Sequence, residues 1–282
     1  MDKESIFKGK KMSRAIEKAR QKIKEADAVF ITAGAGMGVD SGLPDFRGDE
    51  GFWKAYPVIE SLGHSFVDMA NPKWFDTNPK LAWAFYGHRL NLYRETVPHE
   101  GFELLKALVE AKSNYFIFTS NVDGQFQKAG FSEEKIYECH GSIHHMQCTC
   151  CPVAIYSANE VEIEIDMTVF EAQNIPLCPQ CEEVARPNIL MFGDWEWDAT
   201  RSNAQSVRLD AFKEEVQEKK QKLVIIEIGA GTHIPTVRYE SEYTAAELNA
   251  FVVRINPRDY EIDERIGVGI TLGGLAGLRA VL

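Results

Sequence analysis

The sequence predicts an α/β protein, a doubly wound parallel sheet carrying a smaller inserted module that is part helical and part metal clamp. Three observations carry that expectation. Short apolar runs of strand length alternate with stretches of helical periodicity, the pattern of parallel strands joined by crossover helices. Glycine-rich turns follow two of those runs directly. Two C-x-x-C pairs break the alternation with an acidic, irregular stretch between them.

Along the chain, residues 13–26 place Ile16, Ala19 and Ile23 at helical spacing with charges between them. Residues 28–32 form an unbroken apolar run, as a strand covered on both faces requires. Residues 115–119, Leu223–Ile228 and Phe251–Ile255 repeat that signal, and helical patterns over 101–112 and 207–222 precede two of them. Residues 51–98, rich in Trp, Phe, Tyr and Pro, read as helices and loops over the sheet, and 144–185 carries the paired cysteines. The expected organisation is one unit over 1–282. Its core comes from 12–50, 99–143 and 186–282, and its small domain from the insertions 51–98 and 144–185.

The chain has 282 residues, 45% of them hydrophobic and 26% charged, enough for a sizeable core with a well-solvated surface. Its apolar runs fall far short of the roughly 20 residues a membrane helix needs. The lysine-rich start, Met1 to Lys11, has no apolar segment behind it, so no secretory signal is read. The six cysteines are then expected as metal ligands or free thiols in a cytoplasmic protein. A net charge of -11 argues against sequence-independent nucleic-acid binding and fits cationic partners such as lysine-bearing segments. The basic stretch over 8–24 reads as a solvated helix face.

Gly34 and Gly36 come straight after the first strand, and Gly229-Ala230-Gly231-Thr232 after another. Ligands of open α/β sheets bind beyond the carboxyl ends of strands, where glycine lets the backbone approach a pyrophosphate. Two such turns on one sheet suit a dinucleotide, with Asn256 at a third strand end. The G-x-G-x-x-G pattern is incomplete, since Gly38 falls one place early and Val39 takes the third glycine position. The acid that usually binds the ribose about 20 residues onward is not evident, that region holding Trp53 and Tyr56.

Cys148, Cys151, Cys178 and Cys181 have the spacing of two zinc knuckles. Four thiolates fill a tetrahedral shell, so one structural Zn2+ per chain is expected rather than a catalytic one. Cys150 has the wrong spacing, and Cys139 reads as a small residue at a strand end. Thr119-Ser120-Asn121-Val122-Asp123-Gly124 ends a strand in polar groups, where site residues or a helix cap belong. Cys139-His140-Gly141-Ser142 is a second polar turn. The remaining histidines (His64, His88, His99, His144, His145 and His233) read as structural.

Residues 34–47, running from Gly34-Ala35-Gly36 through Asp45-Phe46-Arg47, resemble the signature of the sirtuins, the NAD-dependent protein deacylases. So do Thr119 to Asp123, His140-Gly141, the paired cysteines, Arg186-Pro187 to Phe192-Gly193, and Gly231-Thr232, in family order over nearly the whole chain. The resemblance implies a Rossmann-type domain with a smaller zinc-and-helix domain, NAD as co-substrate, and an acyl-lysine protein or peptide as partner. It also implies roles. Ala33, Gly34, Ala35 and Gly36 cradle the pyrophosphate, and Asp45, Phe46 and Arg47 belong to a loop over NAD. Ser120 contacts the cofactor, Asn121 holds the nicotinamide ribose or its water, Asp123 binds the carboxamide, and His140 is the general base on a ribose hydroxyl, with Asn121, Asp123 and His140 the catalytic set. Gly231, Thr232 and Asn256 contact the adenosine half, and Phe192 and Gly193 lie toward the peptide. The implied products are nicotinamide, free lysine and an O-acyl-ADP-ribose.

Some positions depart from the family pattern. Gly38 and His233 stand where serine is usual, Ser120 where glutamine is usual, and Gly193-Asp194-Trp195-Glu196-Trp197 replaces the usual G-E-x-L-P segment. Tyr86-x-x-Arg89 resembles the pair by which some sirtuins hold acidic acyl groups such as succinyl or malonyl, against a plain reading as one aromatic and one charge on a helix. Mono-ADP-ribosylation or NAD hydrolysis at the same site is an alternative activity. A zinc-ribbon nucleic-acid module is an alternative of another class, opposed by the acidic balance. The sequence does not specify an oligomeric state.

Overall fold

The structure, a computed structural model, describes residues 3–44, 54, 56–61 and 63–282. Its strands are β1 (Ala28–Ala33), β2 (Asn114–Thr119), β3 (Ile136–Glu138), β4 (Gly141–Cys148), β5 (Tyr156–Ser157), β6 (Ile165–Asp166), β7 (Glu171–Ala172), β8 (Ala185–Ile189), β9 (Leu223–Ile228), β10 (Phe251–Ile255) and β11 (Gly267–Ile270). Its helices are α1 (Lys3–Glu25), α2 (Pro57–Ser61), α3 (Phe66–Met69), α4 (Lys73–Thr77), α5 (Pro79–Glu95), α6 (Glu100–Glu110), α7 (Gln125–Lys128), α8 (Thr200–Glu218), α9 (Thr236–Leu248) and α10 (Gly274–Val281).

Six strands form one parallel sheet in the order β11-β10-β9-β1-β2-β3. That is the doubly wound arrangement the strand–helix alternation predicts: the chain winds outward from β1 to β3, then returns beside β1 with β9 and winds the other way. Both faces are covered. Val29, Ile31 and Ala33 of β1 pack toward α6 and α10 with Phe102, Leu105 and Leu278, and Ala28 and Phe30 pack toward α8 with Leu209 and Phe212. This two-sided burial explains why β1 reads as a continuous apolar run rather than an alternating one.

β11 escapes the sequence reading, and β3 is marked there only by Cys139 as a residue at a strand end. β3 is three residues long, and β11 reads Gly-Val-Gly-Ile, with too little apolar signal to mark a strand. α1 starts at Lys3, well before the expected 13, because a surface helix needs only one apolar stripe and its early turns are nearly all polar.

A second core lies around α5. Asn78 caps this helix by accepting Leu81 N–H at 3.2 Å, and Pro79 occupies its first turn. Trp83, Ala84, Phe85 and Tyr86 of α5 are all buried with Phe75, Met146, Ile163 and Phe170. The metal-bearing segment docks on the same helix. Gly87 leaves room for Ile163, where a Cβ would lie 2.4 Å from its Cγ2. Asn91 donates to the Ile163 carbonyl at 2.9 Å, and Arg94 donates to those of Val161 (2.6 Å) and Ala158 (2.5 Å). A three-stranded sheet, β5-β4-β8, joins this module to the end of β3. No helix among the described residues is long and apolar enough to cross a membrane.

One charged row crosses the large sheet near its carboxyl edge. Thr32, Glu227 and Arg254 are register neighbours on β1, β9 and β10. Arg254 grips Glu227 with two bonds, 2.5 and 2.9 Å, and also donates to Glu242 at 2.8 Å and to the Glu261 carbonyl at 2.7 Å. Both partners are about 1% exposed. Breaking such a pair strands a charge in the interior, so Arg254→Met is expected to cost about 3–5 kcal/mol in urea unfolding. Adding Glu227→Gln should return part of that loss. A cost below about 1 kcal/mol would mean that the pair does not sustain the sheet.

Candidate active site and metal centre

The winding reverses between β1 and β9, and the two glycine turns meet there. Gly34 N–H donates to the Ile228 carbonyl at 3.0 Å, and Gly36 N–H to that of Gly229 at 3.1 Å. A Cβ on Gly34 would lie 2.8 Å from the Gly229 oxygen, and one on Gly229, whose φ is +63°, 2.4 Å from the Gly36 backbone. No side chain fits between the turns, so backbone packs on backbone. The chain then continues as two 3-10 turns, Ala35–Met37 and Val39–Ser41, where a longer helix is usual. Asp40 accepts Leu275 N–H at 2.8 Å and ties this segment to the start of α10.

Ala35, Thr232 and His233 are exposed on the two turns, while Ala33 and Gly34 are buried beneath them. Asn256 sits at the end of β10, fully buried and committed to the protein. It donates to the Ala230 carbonyl at 2.8 Å and accepts Arg258 and Asp259 N–H, both at 2.9 Å. It shapes the second glycine turn.

The polar end of β2 joins the same buried floor. Thr119 Oγ1 donates to the Ala33 carbonyl and accepts Asn121 N–H, both at 3.0 Å. Ser120 N–H donates to the Ala33 carbonyl at 3.2 Å, and the Asn121 side chain to that of Gly34 at 3.0 Å. Asp123 is buried, and its carboxylate accepts Gln125 N–H at 3.0 Å. Burial pushes its pKa up to about 6, aided by the nearby Glu138 and opposed by the Gln125 bond and the Arg89 charge.

His140 follows β3, with Leu190 N–H donating to its carbonyl at 2.9 Å. Gly141 beside it has φ +78°, and a Cβ there would strike the Asn188 oxygen at 2.1 Å, so only glycine lets the chain turn at this point. Burial lowers the pKa of the half-buried imidazole below the usual 6.5, opposed by a contact with the Ser120 backbone. The ring is therefore neutral at pH 7 and able to accept a proton. Ala33, Gly34, Ser120, Asn121, Asp123 and His140 thus gather at the carboxyl ends of β1, β2 and β3. Asp45, Phe46 and Arg47 lie outside the described residues.

Tyr86 and Arg89 are buried on one side of α5. The Arg89 guanidinium lies 5.3, 5.8 and 5.5 Å from the ring centres of Phe85, Tyr86 and Tyr93, and donates to the Tyr93 hydroxyl at 2.9 and 3.1 Å. Phe192 N–H donates to the Ala70 carbonyl at 2.9 Å, its ring stands edge-on to Phe66, and Gly193 turns at φ +68°. Asp194 is buried against Arg186 at 2.7 Å, and Trp195 beside it is 97% exposed. His144, read as structural, bonds the backbone of Asp123 through its ring at 2.9 Å. Nothing in the local sequence signals that contact, which depends on β4 crossing the end of β2.

Cys148, Cys151, Cys178 and Cys181 bring their sulfurs within 4.8 Å of one another. The Cys148–Cys181 and Cys151–Cys178 separations are 3.5 and 3.6 Å, near the roughly 3.8 Å edge of a tetrahedron with 2.3 Å Zn–S bonds. Backbone N–H groups of Cys150, Cys151 and Gln180 point at the Cys148 and Cys178 sulfurs over 3.2–3.4 Å, as thiolates require. The donor set fits one structural zinc with no open position. Cys150 is exposed and outside the cluster, and Cys139 is half-buried.

Comparison with known proteins agrees with this geometry. The Sir2 family model matches residues 34–234. An NAD-dependent protein deacylase of Aquifex aeolicus is 29% identical over 254 residues, 90% of this chain and 93% of its own. The NAD-dependent protein deacylase 1 of Caldanaerobacter subterraneus is 25% identical over 256 residues, 91% and 93% of the two chains. A solved Sir2 homologue in complex with NAD superposes with a TM-score of 0.68 at 22% identity, covering 94% of this chain and 92% of that one. The last likeness concerns the fold alone.

Purified protein is expected to hold one zinc per chain, and Cys178→Ser or chelation should release it and melt the β5-β4-β8 module, since metal binding and folding are one free energy in such clamps. Metal analysis with thermal unfolding checks this. A zinc-free protein with an unchanged melting temperature would overturn it.

Proposed function

The chain belongs to the Sir2 family, and from that premise we propose that it is an NAD-dependent protein deacylase acting on acyl-lysine. The observation that carries the reading is the meeting of a neutral, half-buried His140 with the hydrogen-bonded Gly34–Asn121 floor at the point where the sheet winding reverses. The curated relatives carry the same activity in their names over nine-tenths of this chain.

In this reading NAD supplies a ribose bound to a cationic leaving group. Ala33, Gly34, Ala35 and Gly36 offer a close-fitting backbone for its phosphates, and Gly231 and Thr232 lie on the adenosine side. Asn121 holds the ribose that carries nicotinamide or its water, and Asp123 accepts the carboxamide N–H. The resemblance assigns Asp45, Phe46 and Arg47 to NAD as well. An acyl-lysine segment reaches the crevice past Phe192 and Gly193. His140 then takes a proton from a ribose hydroxyl, a task for an imidazole that is neutral at working pH. A cytoplasmic setting belongs to the same reading and is supported by six cysteines free of disulfides. Incubation with NAD alone separates it from NAD hydrolysis, which needs no acyl-lysine.

His140→Ala is expected to lower kcat by about 100-fold or more while NAD binding by calorimetry changes little. Both titrating groups are deprotonated in the active form, so wild-type kcat/KM should fall as pH drops through about 6 and level out toward neutrality. Near-normal turnover in the variant, or an acid limb well above pH 7, would overturn the assignment.

The acyl preference rests on Arg89. The Nε–Nη2 edge of the buried guanidinium donates to the Tyr93 hydroxyl, so the reading rests on the resemblance of Tyr86-x-x-Arg89 to an acidic-acyl pair: with a carboxylate sharing those donors, succinyl- or malonyl-lysine should be preferred over acetyl-lysine by about tenfold, the size of one charged hydrogen bond of roughly 1.5–3 kcal/mol. Arg89→Met should lose the acidic acyl groups and keep acetyl. A wild-type preference for acetyl-lysine, or an equal fall on both, would make Arg89 part of the helix core only.

A further inference from the structure

We propose that His144 is a positioning residue: it sets the direction of the Asp123 carboxylate by clamping the backbone of the turn that carries it, a role that rests on the deacylase reading of Asp123. His144 Nε2 lies 2.9 Å from the Asp123 carbonyl oxygen. That oxygen only accepts, so Nε2 carries the hydrogen and the tautomer is settled. The ring also covers Gly124, whose φ is +68°; a Cβ there would meet His144 Cδ2 at 2.6 Å and Nε2 at 2.8 Å. One residue earlier on β4, Ile143 N–H donates to the Val122 carbonyl at 3.0 Å. Two adjacent residues of β4 thus grip two adjacent carbonyls of the turn.

The strand is shaped for this. The β4–β8 register shifts between Ser142 and Met146, and such irregularities re-aim side chains beside active sites. Ser142 Oγ accepts His144 N–H at 3.3 Å within the irregular stretch. Packing does not account for an imidazole here, because His144 and Asp123 share the wall of a cavity of about 390 Å3 that is also lined by Arg94, Lys128, Ser157 and Asn159. A residue needed only to fill the core would be apolar and closed off from such a cavity. Beyond the irregular stretch the same strand runs on to Cys148 of the metal clamp, so the clamp and the turn of Asp123 share one rigid element.

The test compares His144→Phe, which refills the space over Gly124 without the N–H, with His144→Gln, whose amide can donate to the same carbonyl. Four quantities are read for each: the half-inhibitory concentration of nicotinamide, KM for NAD, KM for an acyl-lysine peptide, and zinc content. His144→Phe is expected to raise the first two by about fivefold, the size of one lost hydrogen bond, with peptide KM and zinc unchanged. His144→Gln should return both to within about twofold of wild type. If His144→Phe does not fold, His144→Leu takes its place against the same glutamine variant. Equal behaviour of the apolar and glutamine variants, or a parallel rise in both KM values, would overturn the proposal. A wild-type protein that releases no nicotinamide from NAD would also overturn it by removing the role of Asp123; that failure shows without any variant.

Discussion

The close packing of two glycine turns at the winding reversal is the constraint on which the rest depends. Gly34 and Gly229 have no room for a Cβ against the facing turn, and the hydrogen bonds of Gly34 and Gly36 N–H to the Ile228 and Gly229 carbonyls hold the two turns together. The ends of β1 and β9 are therefore locked together, and each neighbouring feature is referred to that lock. Asn121 hangs from the Gly34 carbonyl, Thr119 and Ser120 from that of Ala33, and Asn256 from that of Ala230. A substitution at either turn would move every one of these groups together, which is a stronger reason for glycine than conformational freedom alone.

The second core supplies a rigid support of another kind. α5 is buried nearly all round. It takes the metal-bearing segment on one side through Gly87, Asn91 and Arg94, and holds Arg89 among aromatic rings within the electrostatic reach of Asp123. β4 closes the circuit, starting one residue after His140 and ending at Cys148. The zinc thus lies outside the chemistry, yet it anchors the strand on which the site leans. In small sheets with little core of their own, a metal substitutes for the missing apolar burial.

Buried charge is handled in two ways. Arg254 and Glu227, like Arg186 and Asp194, are matched pairs that stiffen the frame. Asp123 and His140 have no such matched partner among the described residues and show the effect of desolvation directly, a carboxyl raised and an imidazole lowered. That difference separates charges that hold the fold from groups poised to exchange protons or hydrogen bonds with a substrate.

The winding of the sheet, both glycine turns and the cysteine clamp were legible in the sequence because each depends on residues close together in the chain: apolar runs, Gly34–Gly36, Gly229–Gly231 and two C-x-x-C knuckles. The resemblance carried by residues 34–47 and 119–141 extended this to the order of the site. Other features had no local signature. β11 exists because its neighbour supplies its hydrogen bonds, not because Gly-Val-Gly-Ile favours extension, and β3 is too short for Ile136 and Tyr137 to mark a strand by themselves. The grip of His144 on Asp123 joins residues 21 apart, and the committed amide of Asn256 joins β10 to a turn 26 residues earlier. Sequence by itself determined which backbone conformations and which donor types were available. Only the tertiary structure decided which of them meet, because burial, register and the exclusion of a Cβ at Gly34, Gly141 and Gly229 are properties of two chain segments at once.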